Sequence, residues 1–171
     1  MTHPMPYPPL IGVSGASGGG KTLLIERLVP LLRKRGARVA VVKHCTHRIE
    51  SDTPGKDSDR IFQAGADVLA AGPSESFVRI HADHMPLDEC LQFLGSGYDV
   101  ILVEGCRSAA IPKIWIGPEP DDAGNMPGDV LLTVADATEG LAESEQLVRR
   151  IIGQSPTGPE RAQLRGSDGS D

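Results

Sequence analysis

Apolar residues run along this chain in short unbroken stretches, each closed by glycine or by a cluster of charge. LIGVSG (Leu10–Gly15), ARVAVVKH (Ala37–His44) and DVILVE (Asp99–Glu104) are three of them. Runs this short, apolar at successive positions, read as strands buried on both faces. PKIWIG and DVLLTVAD supply two more, and Asp67–Ala71 and Phe77–His81 are shorter strands separated by GPSES. The stretches between them change period. Leu24, Leu28, Leu31 and Leu32 fall at i, i+4, i+7 and i+8 and predict a helix over Lys21–Arg35. Lys34 and Arg35 suit the negative end of its dipole, and Gly36 is a natural stop. Pro30 lacks the N–H that a helix interior uses, which predicts a kink or local distortion. Asp57 or Ser58 is expected to cap a short helix through Ala64, ended by Gly65. Leu87–Leu94 and Ser144–Ile152 complete the helices.

Strands alternating with helices predict an α/β fold: a mostly parallel sheet in three layers, with helices on both faces. One domain is expected over residues 10–152, after a Pro-rich mobile segment at 1–9. Residues 153–171 (GQSPTGPERAQLRGSDGSD) have almost no apolar content and read as a disordered tail. No internal repeat is visible.

Composition narrows the function classes. The chain has 171 residues, and aromatics make up only 4%, so the core must rest on Val, Leu, Ile and Ala. A net charge of −6 gives no broad electrostatic surface for nucleic acid, so any phosphate must be held locally. Cys45, Cys90 and Cys106 are odd in number and match no disulfide or zinc spacing, which points to a reducing compartment. Neither a signal peptide nor a run of about 18 apolar residues is visible. The expectation is a soluble, cytoplasmic protein without membrane or nucleic-acid contacts.

The chemistry is concentrated in GASGGGKT (Gly15–Thr22), a full match to G-x-x-x-x-G-K-[ST] that follows one predicted strand and opens one predicted helix. Glycine lets successive backbone N–H groups approach phosphate oxygens, and the helix N-terminus adds unsatisfied donors and a positive dipole end. Gly15, Ala16, Ser17, Gly18, Gly19 and Gly20 would form the cradle. Lys21 would reach the β- and γ-phosphates, and Thr22 would place its hydroxyl on Mg²⁺. The fold expectation is therefore a P-loop NTPase. Glu104 ends an apolar strand where such proteins place an acid near the metal, so it is assigned to metal or to an attacking water. No N-K-x-D guanine reader is present. Asp136, at the end of the last strand, could instead accept from a guanine N1–H and exocyclic amine.

In a doubly wound sheet, ligands sit beyond the carboxyl ends of the strands. The charged loop after the second strand is therefore expected at the same rim. Lys43, Lys56 and Arg60 are candidates for anion contact against the alternative of a solvated face. Asp57 and Ser58 are a helix cap, with Asp57 a further candidate for the metal. His44 and His47 are three apart and leave three readings open: metal ligation, a backbone-bonded structural role, or contact with phosphate or a pterin-type anion. Cys45 and Cys106 carry no sign of activation.

Three stretches together resemble a known family. They are Gly12–Thr22, KHCTHRIESDTPGKDSDRIFQAGA (Lys43–Ala66), and VILVEG with PKI. They resemble the molybdopterin-guanine dinucleotide biosynthesis protein B family, MobB, over roughly Leu10–Ile152. The resemblance implies a P-loop NTPase fold, GTP and Mg²⁺ as cofactors, and weak GTP hydrolysis. It implies a homodimer that assists a MobA-type guanylyltransferase in converting molybdopterin to the guanine dinucleotide form of the molybdenum cofactor. Lys21 and Glu104 would be its catalytic residues. Lys43, His44, His47, Asp52, Pro54, Gly55, Lys56, Asp57, Ser58 and Arg60 match the family's second motif, and Glu104 with Gly105 its EG pair. The chain departs from the pattern at Cys106 and Arg107, where the family often has an aromatic and a lysine. It departs again after Ile114, where many members carry an arginine. With no arginine finger evident in the chain, hydrolysis is expected to be slow. A small-molecule kinase, a nucleotide-dependent adaptor and a metal-delivery GTPase are the alternatives.

Overall fold

In a computed structural model, the protein is described over residues 7–43, 45, 49, 52–120 and 125–154. Its contacts divide into two compact units, one made of the residues up to 44 with those from 91 onward, the other of residues 45–90.

The first unit is built on five strands: β1 (Leu10–Gly15), β2 (Val39–Lys43), β5 (Val100–Glu104), β6 (Lys113–Ile116) and β7 (Val130–Val134). Their order is β2-β5-β1-β6-β7, and every neighbouring pair is parallel. This is the α/β, mostly parallel architecture expected from the apolar runs. Side-by-side residues in a parallel pair point the same way. The register aligns Val41 with Leu102, Leu102 with Ile11, and Val13 with Ile114. One face therefore presents Ile11, Val13, Val100, Leu102, Ile114, Ile116 and Val134 as a single apolar surface.

Helices α1 (Lys21–Lys34) and α4 (Leu141–Gln154) contact one another, and both belong to the core on this face. Helix α1 buries Leu24, Ile25, Leu28 and Leu32, while Leu31 is only half-buried. The stripe thus turns toward Ile25, one residue from the expected position. Helix α1 runs through Pro30 without ending. Pro30 and Glu26, the residue whose carbonyl its missing N–H would have met, both lie on the exposed side of the helix. The helix stops as its sequence dictates. Gly36 has φ 87° and its N–H reaches the Arg33 carbonyl at 2.9 Å.

The opposite face carries Lys113, which is wholly buried within a strand otherwise made of Ile and Trp. Its ammonium donates to the carbonyls of Ala109 (2.5 Å), Ile111 (3.0 Å) and Pro127. Burial pushes its pKa below the usual lysine value, and the carbonyls supply the oxygen cage that lets a charge reside there. Lys113 thereby ties two irregular segments, before β6 and before β7, to the sheet.

The second unit contains α2 (Asp57–Gln63), the antiparallel hairpin β3 (Val68–Ala71) and β4 (Ser76–Arg79), and the start of α3 (Leu87–Leu94). Val68 is its one buried apolar residue among the described residues. Charge organises it instead. Arg79 bonds Asp52 at 3.2 Å and Asp59 at 3.0 Å, and its guanidinium lies 3.9 Å from the Phe62 ring centroid. His81 stacks on Phe62 at 3.8 Å and bonds Asp67 at 3.1 Å. The expected Asp57 or Ser58 cap is corrected here. Lys56 holds the N-cap position without a side-chain bond, and Asp59 reaches back to accept the Gly55 N–H at 2.9 Å. The Arg79 cation holds Asp59 in the orientation that makes this possible.

Two outcomes follow from these charges. The Gly55 N–H and then Arg79 lower the Asp59 pKa from 3.8, and the His81 N–H and ring do the same for Asp67. Carboxylates with depressed folded pKa stabilise fully above 3.8 and lose that contribution as pH falls through the lower folded value. Hydrogen exchange should show hairpin amides opening below that pH before the five-stranded sheet does. Arg79→Met should move the opening to higher pH; an unchanged acid profile would contradict the clamp. Lys113→Met strands three carbonyls and should cost about 2–3 kcal/mol in urea denaturation.

Candidate functional site

The turn Gly15–Gly20 leaves the C-terminal end of the central strand and enters α1. Its path depends on missing side chains at two positions. Gly15 has φ 145°, and a Cβ there would run into the Ile116 carbonyl oxygen. Gly20 has φ 88°, and its Cβ would sit 3.2 Å from that of Ala137. Gly20 is also the N-cap of α1, with no side-chain capping bond. The first N–H groups of α1 are thus left for another acceptor. Ala16, Ser17 and Gly18 are exposed, and a Gly19 N–H bond to Ala16 at 3.1 Å closes the turn. The Lys21 ammonium folds over this turn, donating to the carbonyls of Ala16 (2.6 Å) and Gly15 (3.1 Å).

Three side chains meet beside it. Sheet register sets Lys43 next to Glu104, and Glu104 next to Val13, which fixes both charged residues at one edge. The Thr22 hydroxyl donates to Glu104 Oε1 at 2.6 Å. The Lys43 ammonium lies 3.4 Å from Glu104 Oε2 and 3.5 Å from the Thr22 oxygen. Glu104 is only 8% exposed, so these partners stand in for the water its carboxylate oxygens would otherwise meet. Hydroxyl and carboxylate oxygens this close are the hard donors that Mg²⁺ takes, completed by phosphate and water rather than by a protein cage. No cluster of three or more His, Cys, Asp or Glu ligands occurs among the described residues.

Asp136 stands just past β7. Its Oδ1 accepts from Thr138 (2.6 Å) and Glu139 (2.9 Å), and the Glu139 bond followed by that of Thr138 holds its pKa below the usual range. It shapes the turn into α4, next to Gly20 through Ala137. Arg27 in α1 reaches Thr138 at 2.7 Å and ties that turn to the first helix.

The structure thus gathers Gly15–Thr22, Lys43, Glu104 and Asp136 in the first unit. Lys56, Asp57 and Arg60 lie in the second, all exposed, with Arg60 and Asp57 paired at 3.7 Å across one helical turn. His44 and His47 lie outside the described residues. Residues missed by sequence reasoning are Arg79, a single basic residue in a short strand, and Lys113, whose one signal was a cation inside an apolar run.

The family model described as molybdopterin guanine dinucleotide synthesis protein B matches residues 10–134 of the 171. The chain belongs to the MobB family. Among its relatives, the molybdopterin-guanine dinucleotide biosynthesis adapter protein of Haemophilus influenzae is 38% identical over 113 residues, 63% of this chain and 62% of that protein. The match therefore spans less than two thirds of that relative's length. The adapter protein of Escherichia coli is 37% identical over 131 residues, 72% of this chain and 73% of its own. A crystal structure of molybdopterin-guanine biosynthesis protein B superposes with a TM-score of 0.69 at 27% identity, covering 85% of this chain and 99% of that one. The P-loop NTPase fold expected from the glycine turn is the fold of this family. Among the described residues no helix is long and apolar enough to cross a membrane.

A double-mutant cycle tests the trio. Thr22→Val and Lys43→Met should each destabilise through the stranded Glu104 carboxylate, by about 1–2 kcal/mol. In a Glu104→Gln background those costs should largely vanish; additive costs would mean the contacts are incidental.

Proposed function

We propose that this chain is a guanine-nucleotide-binding adapter in molybdopterin guanine dinucleotide synthesis, acting with Mg²⁺ beside a MobA-type guanylyltransferase. The observation that carries this reading is the meeting of Thr22, Glu104 and Lys43 at the mouth of a glycine turn whose helix N-terminus has no side-chain cap. The turn's amides and Lys21 would hold the phosphate tail. Thr22 and Glu104 would hold Mg²⁺, which would neutralise phosphate oxygens. Lys43 would balance the Glu104 charge and turn toward the terminal phosphate when the metal takes its place. Asp136, at the end of β7 and beside Gly20, is the assigned reader of the guanine edge.

The second motif enters through its sequence: Lys56 and Arg60 as anion contacts, Asp57 and the His44–His47 pair as further ligands. Turnover belongs to the same proposal as a slow GTP hydrolysis, with Glu104 orienting water. The relatives from Haemophilus influenzae and Escherichia coli are named as adapter proteins of this pathway, which favours assistance to a partner enzyme over independent catalysis. The proposal also keeps a cytoplasmic homodimer as the working form.

Calorimetry of GTP against ATP, with and without Mg²⁺, is the direct test. GTP should bind more tightly, and only with the metal. Lys21→Ala should weaken it by about 3 kcal/mol, roughly a hundredfold. Unchanged binding in that variant would remove the phosphate role from the glycine turn.

A further inference from the structure

Beyond the carboxyl ends of β1 and β6 the first unit contains a hollow, about 390 Å³ in volume. It shares one residue, Ala16, with the glycine turn, but its other walls are new. Trp115 forms the floor, 5% exposed, its indole N–H donating to the Pro118 carbonyl at 2.7 Å. That bond fixes both the ring and the turn above it. Ile116, Pro118 and Pro120 add flat apolar surface. Among the described residues, two charges join the lining, Arg107 and Glu119. The Arg107 guanidinium is held 5.2 Å from the Trp115 ring centroid. It follows Glu104 by three positions, on the loop that leaves β5.

The volume is at the small end of ligand sites, which run from about 300 to 1,000 Å³. It is of a size to take a fused two-ring system. The lining asks for flat faces, a negative group for Arg107, and N–H donors for Glu119. A phosphate tail is poorly served here: among the described lining residues Arg107 is the one cation, and the glycine amides belong to the neighbouring turn. We infer that the hollow binds a planar anionic heterocycle with a 2-amino-4-oxo edge, side by side with the nucleotide. Pterins and guanine both carry that edge, and the assignment is to the pterin. It rests on the proposed reading, because the other half of the product, the guanine nucleotide, is given to the glycine turn.

Trp115 is the sole tryptophan of the chain, so its emission reports on this hollow directly. Full-length protein holding GTP and Mg²⁺ would be titrated with pterin-6-carboxylate. The expected result is saturable loss of tryptophan emission with sensitised pterin fluorescence. Arg107→Ala should weaken this by roughly tenfold, the loss of one charge-assisted contact, with Arg107→Lys between the two. Arg107 is exposed, and Arg107→Lys keeps its charge. Lys21→Ala, made without GTP, should bind the pterin as wild type does. That arm separates the hollow from the glycine turn, since loss of GTP with retained pterin binding leaves this inference standing. No saturable signal, or Arg107→Ala titrating like wild type, would overturn it. Displacement of the pterin by GMP would give the hollow to guanine and overturn it equally.

Discussion

The hydrogen bond from Thr22 to Glu104 joins the first turn of α1 to the end of a strand 82 residues further along the chain. It can form only if β5 lies beside β1 in one register. In that register the alternation brings Ile11, Val13, Val100 and Leu102 together toward the helices, while Ile101 and Val103 are buried on the opposite face. The same alternation carries Glu104 and Lys43 to the helix-bearing face at the strand ends, where the apolar surface stops. Core packing and site geometry are therefore one constraint. A buried carboxylate is tolerable there because a hydroxyl and an ammonium meet it, and a divalent cation could replace the ammonium without changing the oxygens it faces.

The two units solve the problem of order differently. In the first, contiguous Val, Leu and Ile exclude water over a five-stranded sheet. The second unit buries little apolar surface and relies on one arginine shared by two carboxylates and an aromatic ring. Charge-based order of this kind depends on pH and salt in a way that apolar packing does not. The loop between Asp52 and Asp59 carries much of the family's second motif, and Arg79 is the group that holds both ends of it.

How far the sequence could be read depended on the range of each interaction. The glycine turn and the stop at Gly36 are local, set by residues a few positions apart, and were legible. The strands were legible because apolar runs report burial without knowing the partner. Leu31 and Ile25 exchanged places because the direction of a helix's buried stripe depends on the neighbouring α4, which local periodicity does not encode. The cap at α2 was misread for a related reason. Asp57 has good capping chemistry, yet it is exposed, and Asp59 is turned toward Gly55 under the hold of Arg79, 20 residues away. Lys113 and Arg79 were missed because their partners, backbone carbonyls in one case and distant carboxylates in the other, leave no pattern in sequence.

Gly15 connects these threads. Its lack of a side chain lets the Ile116 carbonyl approach the end of β1, and that closeness sets where Ala16 emerges. Ala16 then has one side toward the glycine turn, where its carbonyl meets Lys21, and another toward the hollow floored by Trp115. Ala16 is thus the residue common to the glycine turn and the hollow. Two ligands held on either side would be neighbours because the sheet places β6 directly against β1, with no element between them.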